Sequence, residues 1–175
     1  MRISGLLLAI SIVMLAGCSS EPPQPPVSHY SMGEKAAAGH LTYTVFETQW
    51  ATHFGDGVSA RVPQNRFFVI RLSAVNGGIA EAPIPAFTIE DDAEHVYNEL
   101  SDGQGVPQWV GYLRSAKPAN DVQGNIVFDA PPAHYKLRVS DDQKHAALID
   151  LPLTFGAETP DLAPATLPNG TPDKK

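Results

Sequence analysis

Six histidines, His29, His40, His53, His95, His134 and His145, are the residues of this 175-residue chain best able to hold a metal or move a proton. Metal ligands often come as pairs spaced to share a face, and no His-x-His or His-x-x-x-His pair occurs. No metal ligand set is therefore expected, and His95 and His134 are the pair that a folded sheet could bring together. The run Glu90-Asp91-Asp92-Ala93-Glu94 has charge enough for calcium, but it lacks the glycine and the spacing of an EF-hand loop and reads as an Asp-rich turn. For nucleophilic catalysis there is no Gly-x-Ser-x-Gly elbow and no Ser-x-x-Lys. Asp102-Gly103-Gln104-Gly105 does not match a phosphate-binding loop. No catalytic residue and no cofactor is assigned, and the expected role is non-enzymatic. Trp50, Phe54, Trp109 and Tyr112 fall in irregular segments, where core packing is the first role to consider. If Trp109 and Tyr112 are exposed, they become candidate anchors of a binding surface. The polar stretch "GDGVSARVPQNR", residues 55–66, is long for a strand connection, and such loops commonly carry binding.

Cys18 is the only cysteine. It follows one basic residue, Arg2, and the apolar run "ISGLLLAISIVMLAG", which is shorter than the roughly 20 residues a membrane-spanning helix needs. A short basic start, an apolar centre and small residues before a cut describe a secretory signal. Leu15-Ala16-Gly17-Cys18 resembles the lipobox of bacterial lipoproteins. The resemblance implies cleavage between Gly17 and Cys18, a diacylglyceryl group on the thiol and acylation of the new N-terminus. Two or three acyl chains, at about 0.8 kcal/mol per buried methylene, hold a protein stably at a membrane. Ser19, in place of an Asp, implies by the same resemblance the periplasmic face of the outer membrane in a Gram-negative cell. In other cells the outer face of the cytoplasmic membrane is implied. With Cys18 lipidated, no thiol remains for a disulfide, for catalysis or for a Cys-based metal site. Removing residues 1–17 takes away Arg2 and no acid, so the formal net charge moves from -7 to -8. An acidic exported chain is not expected to bind nucleic acid.

These residues need elements to position them. Prolines 22, 23, 25 and 26 give residues 18–38 the composition of an extended tether, which at about 3.1 Å per residue spans roughly 60 Å. Residues 156–175 are again proline-rich and weakly apolar, a disordered tail by composition. Residues 39–155 have the length of one domain and a hydrophobic period of two. Leu41, Tyr43 and Val45 alternate with Thr42 and Thr44, and Phe68, Ile70, Leu72 and Ala74 share a face opposite Arg71 and Ser73. Phe87 with Ile89, Ile126 with Phe128, and Tyr135, Leu137 and Val139 continue the pattern, which closes with Ala147, Ile149, Leu151 and Leu153. Turn residues separate the runs at Asn76-Gly77-Gly78, Asp91-Asp92, Pro118-Ala119-Asn120-Asp121, Pro131-Pro132 and Asp141-Asp142. About seven short strands without a helical stripe predict an all-β, antiparallel sandwich.

The segments "LTYTV", "RFFVIRLSAVNGG", "PAFTIEDDAEHVYNE", "GNIVFDAPPAHYKLRVSD" and "ALIDL" together resemble a family of bacterial secreted and lipid-anchored domains of unknown function. That family has the telokin-like, immunoglobulin-like sandwich of the mycobacterial immunoprotective extracellular protein. The resemblance runs from Leu41 to Leu151 and is least clear over "SDGQGVPQWV". It implies an immunoglobulin-like fold and an exported location, and no catalytic residues. The expectation is a membrane-held binding protein with an envelope protein as partner. The alternative is an accessory lipoprotein that holds a small ligand or a metal on histidines of the sandwich.

Overall fold

A computed structural model of the chain describes residues 27–153. The expected signal segment 1–17, Cys18, the prolines that follow it and the expected tail 156–175 lie outside the described residues. Eleven strands are present: β1 (Ser28–Ser31), β2 (Ala36–Ala38), β3 (Leu41–Ala51), β4 (Arg66–Asn76), β5 (Ala82–Ile84), β6 (Thr88–Asp91), β7 (Val96–Asn98), β8 (Arg114–Ala116), β9 (Asp121–Ala130), β10 (Tyr135–Ser140) and β11 (Ala146–Leu151). They form an immunoglobulin-like sandwich. One sheet has the order β1-β11-β10-β6-β7, the other β2-β3-β4-β9, and β5 and β8 form a separate pair. Among the described residues no helix is long and apolar enough to cross a membrane.

The alternating side chains meet between the sheets. Leu41, Tyr43 and Val45 of β3, Phe68, Ile70 and Leu72 of β4, and Ile126 and Phe128 of β9 face Ile89, Leu137, Val139, Ile149 and Leu151 of the other sheet in one buried cluster. Tyr43 also ties the layers by hydrogen bonding, its hydroxyl donating to the Ser140 carbonyl at 2.7 Å. Burial pushes the ionisation of that hydroxyl above the ordinary tyrosine range. The Tyr135 hydroxyl donates to the Pro131 carbonyl four residues upstream at 2.5 Å, the tyrosine-corner arrangement known from immunoglobulin-like domains.

Three features depart from simple alternation. First, a β-bulge shifts the β3–β4 register between Val45 and Glu47, leaves Phe46 exposed and reverses the faces beyond it. Trp50 is thereby turned inward and stacks on Phe68 with ring centroids 4.3 Å apart. Second, β4 is covered on both faces. Phe67, Val69 and Val127 form a second cluster with Val106, against which Phe54, Leu100 and Trp109 pack. The lid over this outer face is the segment 99–110, fastened to β9 by Leu100 N–H to Val127 O at 2.8 Å and Val110 N–H to Asn125 O at 3.1 Å. Third, the sandwich begins well before residue 39. β1 pairs in parallel with β11, from Ser28 against Ala147 to Ser31 against Asp150, and β2 pairs with the start of β3. The expected tether is therefore too long by these two strands. Edge pairing satisfies backbone groups and needs no apolar alternation in the added strand, which is why β1 leaves little trace in the sequence.

Candidate functional site

Tyr112 and Leu113 lie just before β8, in a short loop that folds back on itself. Gly111 permits the fold with a positive φ of 81°. Arg114 closes it, donating through Nη1 to the Gly111 carbonyl at 2.6 Å. Arg114 is itself fixed in the interior. It meets Glu99 in a bidentate pair, Nη1 to Oε1 and Nη2 to Oε2, each at 2.6 Å. Its guanidinium lies 4.5 Å from the centroid of the Phe87 ring. The two side chains are 3% and 0% exposed, and Glu99 Oε2 also accepts the Phe87 amide at 3.1 Å. A buried charge pair of this kind holds one geometry, because leaving either partner alone is costly.

On that rigid support Leu113 is 94% exposed and Tyr112 37% exposed. They border a shallow groove of about 440 Å³ whose floor is Pro83, Ile84, Pro85 and Ala86. The lining is mainly apolar; of its two polar side chains, Arg114 has its charge matched by Glu99 and Ser115 donates to Glu81. Trp109 is placed differently. Its ring packs on the second cluster and lies so close to Gly103 that a Cβ there would fall 2.0 Å from the indole. Of the two aromatic anchors considered from the sequence, Tyr112 stands at a surface while Trp109 is given to the cover over β4. The loop 55–66 is pinned rather than open. Phe54 and Arg61 exchange backbone hydrogen bonds at 3.0 and 2.8 Å, and Asp129 accepts the Gln64 and Asn65 amides at 2.6 and 2.8 Å.

Four of the six histidines, His40, His95, His134 and His145, gather at the two ends of the five-stranded sheet. The β6–β7 turn reads Asp91-Asp92-Ala93-Glu94-His95, and the β10–β11 turn reads Asp141-Asp142-Gln143-Lys144-His145. Both use one mechanism. The first Asp accepts the amides two and four residues on with Oδ1, at 2.9 and 2.9 Å for Asp91 and 2.9 and 2.8 Å for Asp141. Its Oδ2 then meets the ring of the turn's own histidine, at 2.9 Å for His95 and 2.8 Å for His145. Desolvation opposes ionisation of both carboxyls, yet these donors hold both below the ordinary Asp range.

In each turn the second Asp meets a histidine from another element. Asp92 lies 3.0 Å from His134 Nδ1, whose Nε2 is 3.0 Å from Asp150. Asp142 lies 3.4 Å from His40 Nε2, while His40 Nδ1 is 3.4 Å from Asp141. The hydrogen bond to Asp92, with help from Asp150 and against the cost of desolvation, raises His134 above the ordinary imidazole range. His95 and His134 thus reach the same end of the sheet but face different carboxylates. The His40 cluster was not anticipated from the sequence. Its one sequence signal is the Asp-Asp-x-x-His spacing that the two turns share. Cys18 and Gly17 lie outside the described residues.

No curated protein matches this chain. Among solved structures, the yjhA protein of Bacillus subtilis is 16% identical with a TM-score of 0.56, the match covering 70% of this chain and 99% of that one. The secreted protein MPT63 of Mycobacterium tuberculosis is 12% identical with a TM-score of 0.55, over 73% of this chain and 100% of that one. A candidate lipoprotein of Bacillus subtilis, ycdA, is 10% identical with a TM-score of 0.51, over 68% of this chain and 38% of that one. At these identities the likeness is one of fold, and it agrees with the sandwich described above. The model of a domain of unknown function, DUF4352, matches residues 30–145, from within β1 to the β10–β11 turn. That span is most of the sandwich, and the chain belongs to the DUF4352 family.

Proposed function

We propose that this is a lipid-anchored cell-envelope protein with a non-enzymatic role, which binds an apolar segment of another envelope protein at the Tyr112–Leu113 ledge. The observation that carries the reading is the pair of exposed apolar side chains on a support fixed by Glu99 and Arg114. Exposed aromatic and aliphatic groups beside a groove are the usual anchors of recognition. A partner for this groove is apolar and uncharged at the contact, because the groove presents no free charge to match. An exported location is supported by the signal-like segment before Cys18, and the secreted MPT63 and candidate lipoprotein ycdA share the fold.

A benzophenone side chain at position 113, photolysed in intact cells, should give a discrete adduct with an envelope protein. That adduct should disappear with Tyr112→Ser in the same chain. Position 58 is equally bare, on the loop 55–66, and serves as the comparison. The same adducts from positions 58 and 113, or none from 113, would exclude the ledge as the binding surface.

A further inference from the structure

The geometry points to a divalent transition-metal site formed by His40, Asp141 and Asp142 at the end of the sandwich where the β2–β3 and β10–β11 turns meet. It is independent of the Tyr112–Leu113 ledge. Among the described residues this is the one group of three such side chains whose ligand atoms, one from each, all lie within 4.8 Å of one another. Imidazole and carboxylate ligands hold zinc at about 2.0–2.2 Å, which places neighbouring ligand atoms roughly 3.3–3.6 Å apart in a tetrahedron. His40 Nδ1 already stands at this spacing from Asp141, 3.4 Å away, while its Nε2 faces Asp142 at 3.4 Å; one of the two nitrogens would be the ligand. The donor set has nitrogen and oxygen but no thiol, which suits Zn(II) and the neighbouring divalent ions rather than Cu(I).

The arrangement is built into the backbone as well as the side chains. Asp141 has no exposed side-chain surface, and its Oδ1 is committed to the turn amides while Oδ2 faces His40 and His145. His145 acts on Asp141 rather than joining the ligands. A second hydrogen-bonding partner of this kind orients a ligating carboxylate. Gly39 allows the close approach. Its φ is +58°, and a Cβ there would fall 1.8 Å from Asp141 Oδ2. His40 and Asp142 remain partly exposed, between a groove of about 640 Å³ along the β10–β11 turn and another lined by Gly78, Ile79 and Ala82. An ion could enter from either side, and a coordination position would stay open to solvent. The opposite end of the sheet is a control made by the same turn sequence. There Asp92, His134 and Asp150 do not bring one ligand atom from each within that distance of one another.

The test is calorimetric titration of the full chain in detergent with zinc chloride, alongside His40→Ala, Asp142→Asn and His134→Ala. The expected result is one zinc per chain, at least tenfold weaker in both His40→Ala and Asp142→Asn and unchanged in His134→Ala. Asp142→Asn keeps the turn and carries the test if His40→Ala fails to fold, which circular dichroism would reveal. No zinc binding, binding undiminished by Asp142→Asn, or equal weakening by His134→Ala would each overturn the assignment.

Discussion

His134 has a carboxylate on each side, Asp92 at 3.0 Å and Asp150 at 3.0 Å. Its raised ionisation range turns this geometry into a dependence of stability on pH. A histidine that binds its proton more tightly when folded stabilises the fold fully below its unfolded value, 6.5. The contribution disappears as pH rises through the folded value. Urea unfolding should therefore show a larger stability gap between the natural chain and His134→Gln at about pH 5.5 than at about pH 8.5. A gap independent of pH, or an NMR titration midpoint for the ring at or below the ordinary range, would refute this. Little of this was legible in the sequence. His134 owes its character to Asp92 and Asp150, and His40 to Asp141 and Asp142, partners supplied by sheet pairing rather than by spacing along the chain. Tyr112 was legible as a candidate anchor, but the more exposed Leu113 beside it was not, because no local pattern tells a bare leucine from a buried one.

Among the elements, the β5–β8 pair has three residues in each strand and rests on one buried interaction. Glu99 and Arg114 fasten it beneath Phe87. Glu99→Ala would leave the guanidinium buried without its partner and should destabilise the domain by about 3–5 kcal/mol. The double change Glu99→Leu with Arg114→Met should cost much less, because it removes both charges together. Equal losses for the single and double variants in chemical denaturation would show that the pair does not fix this region. The long strands were legible because one face of each is buried and the other is not, as in β3, β10 and β11. Elsewhere the physical rule differs. β1 adds mainly by backbone pairing, with Tyr30 alone of its side chains packed on the core, the bulge after Val45 inverts the parity that would have placed Trp50 outside, and the segment 99–110 hides the outer face of β4 beneath an irregular cover.

At the scale of the whole molecule, the sandwich reaches to Ser28, so fewer residues separate it from Cys18 than composition implied. At about 3.1 Å per residue a connection of that length could reach at most roughly 30 Å. Any partner of the Tyr112–Leu113 ledge would then be met close to a membrane surface. The acidic chain, with 19 acidic and 12 basic residues, gains nothing from anionic lipid, so the proposed attachment would rest on the acyl chains rather than on the domain. The most direct measurement is fractionation of cells expressing the natural chain and Cys18→Ala, with the intact mass of the purified products. The account predicts that the natural chain sediments with membranes, starts at Cys18 and carries the added mass of acyl groups, and that Cys18→Ala leaves the membrane fraction. A Cys18→Ala chain that still sediments with membranes, or a natural chain without the acyl mass, would contradict it.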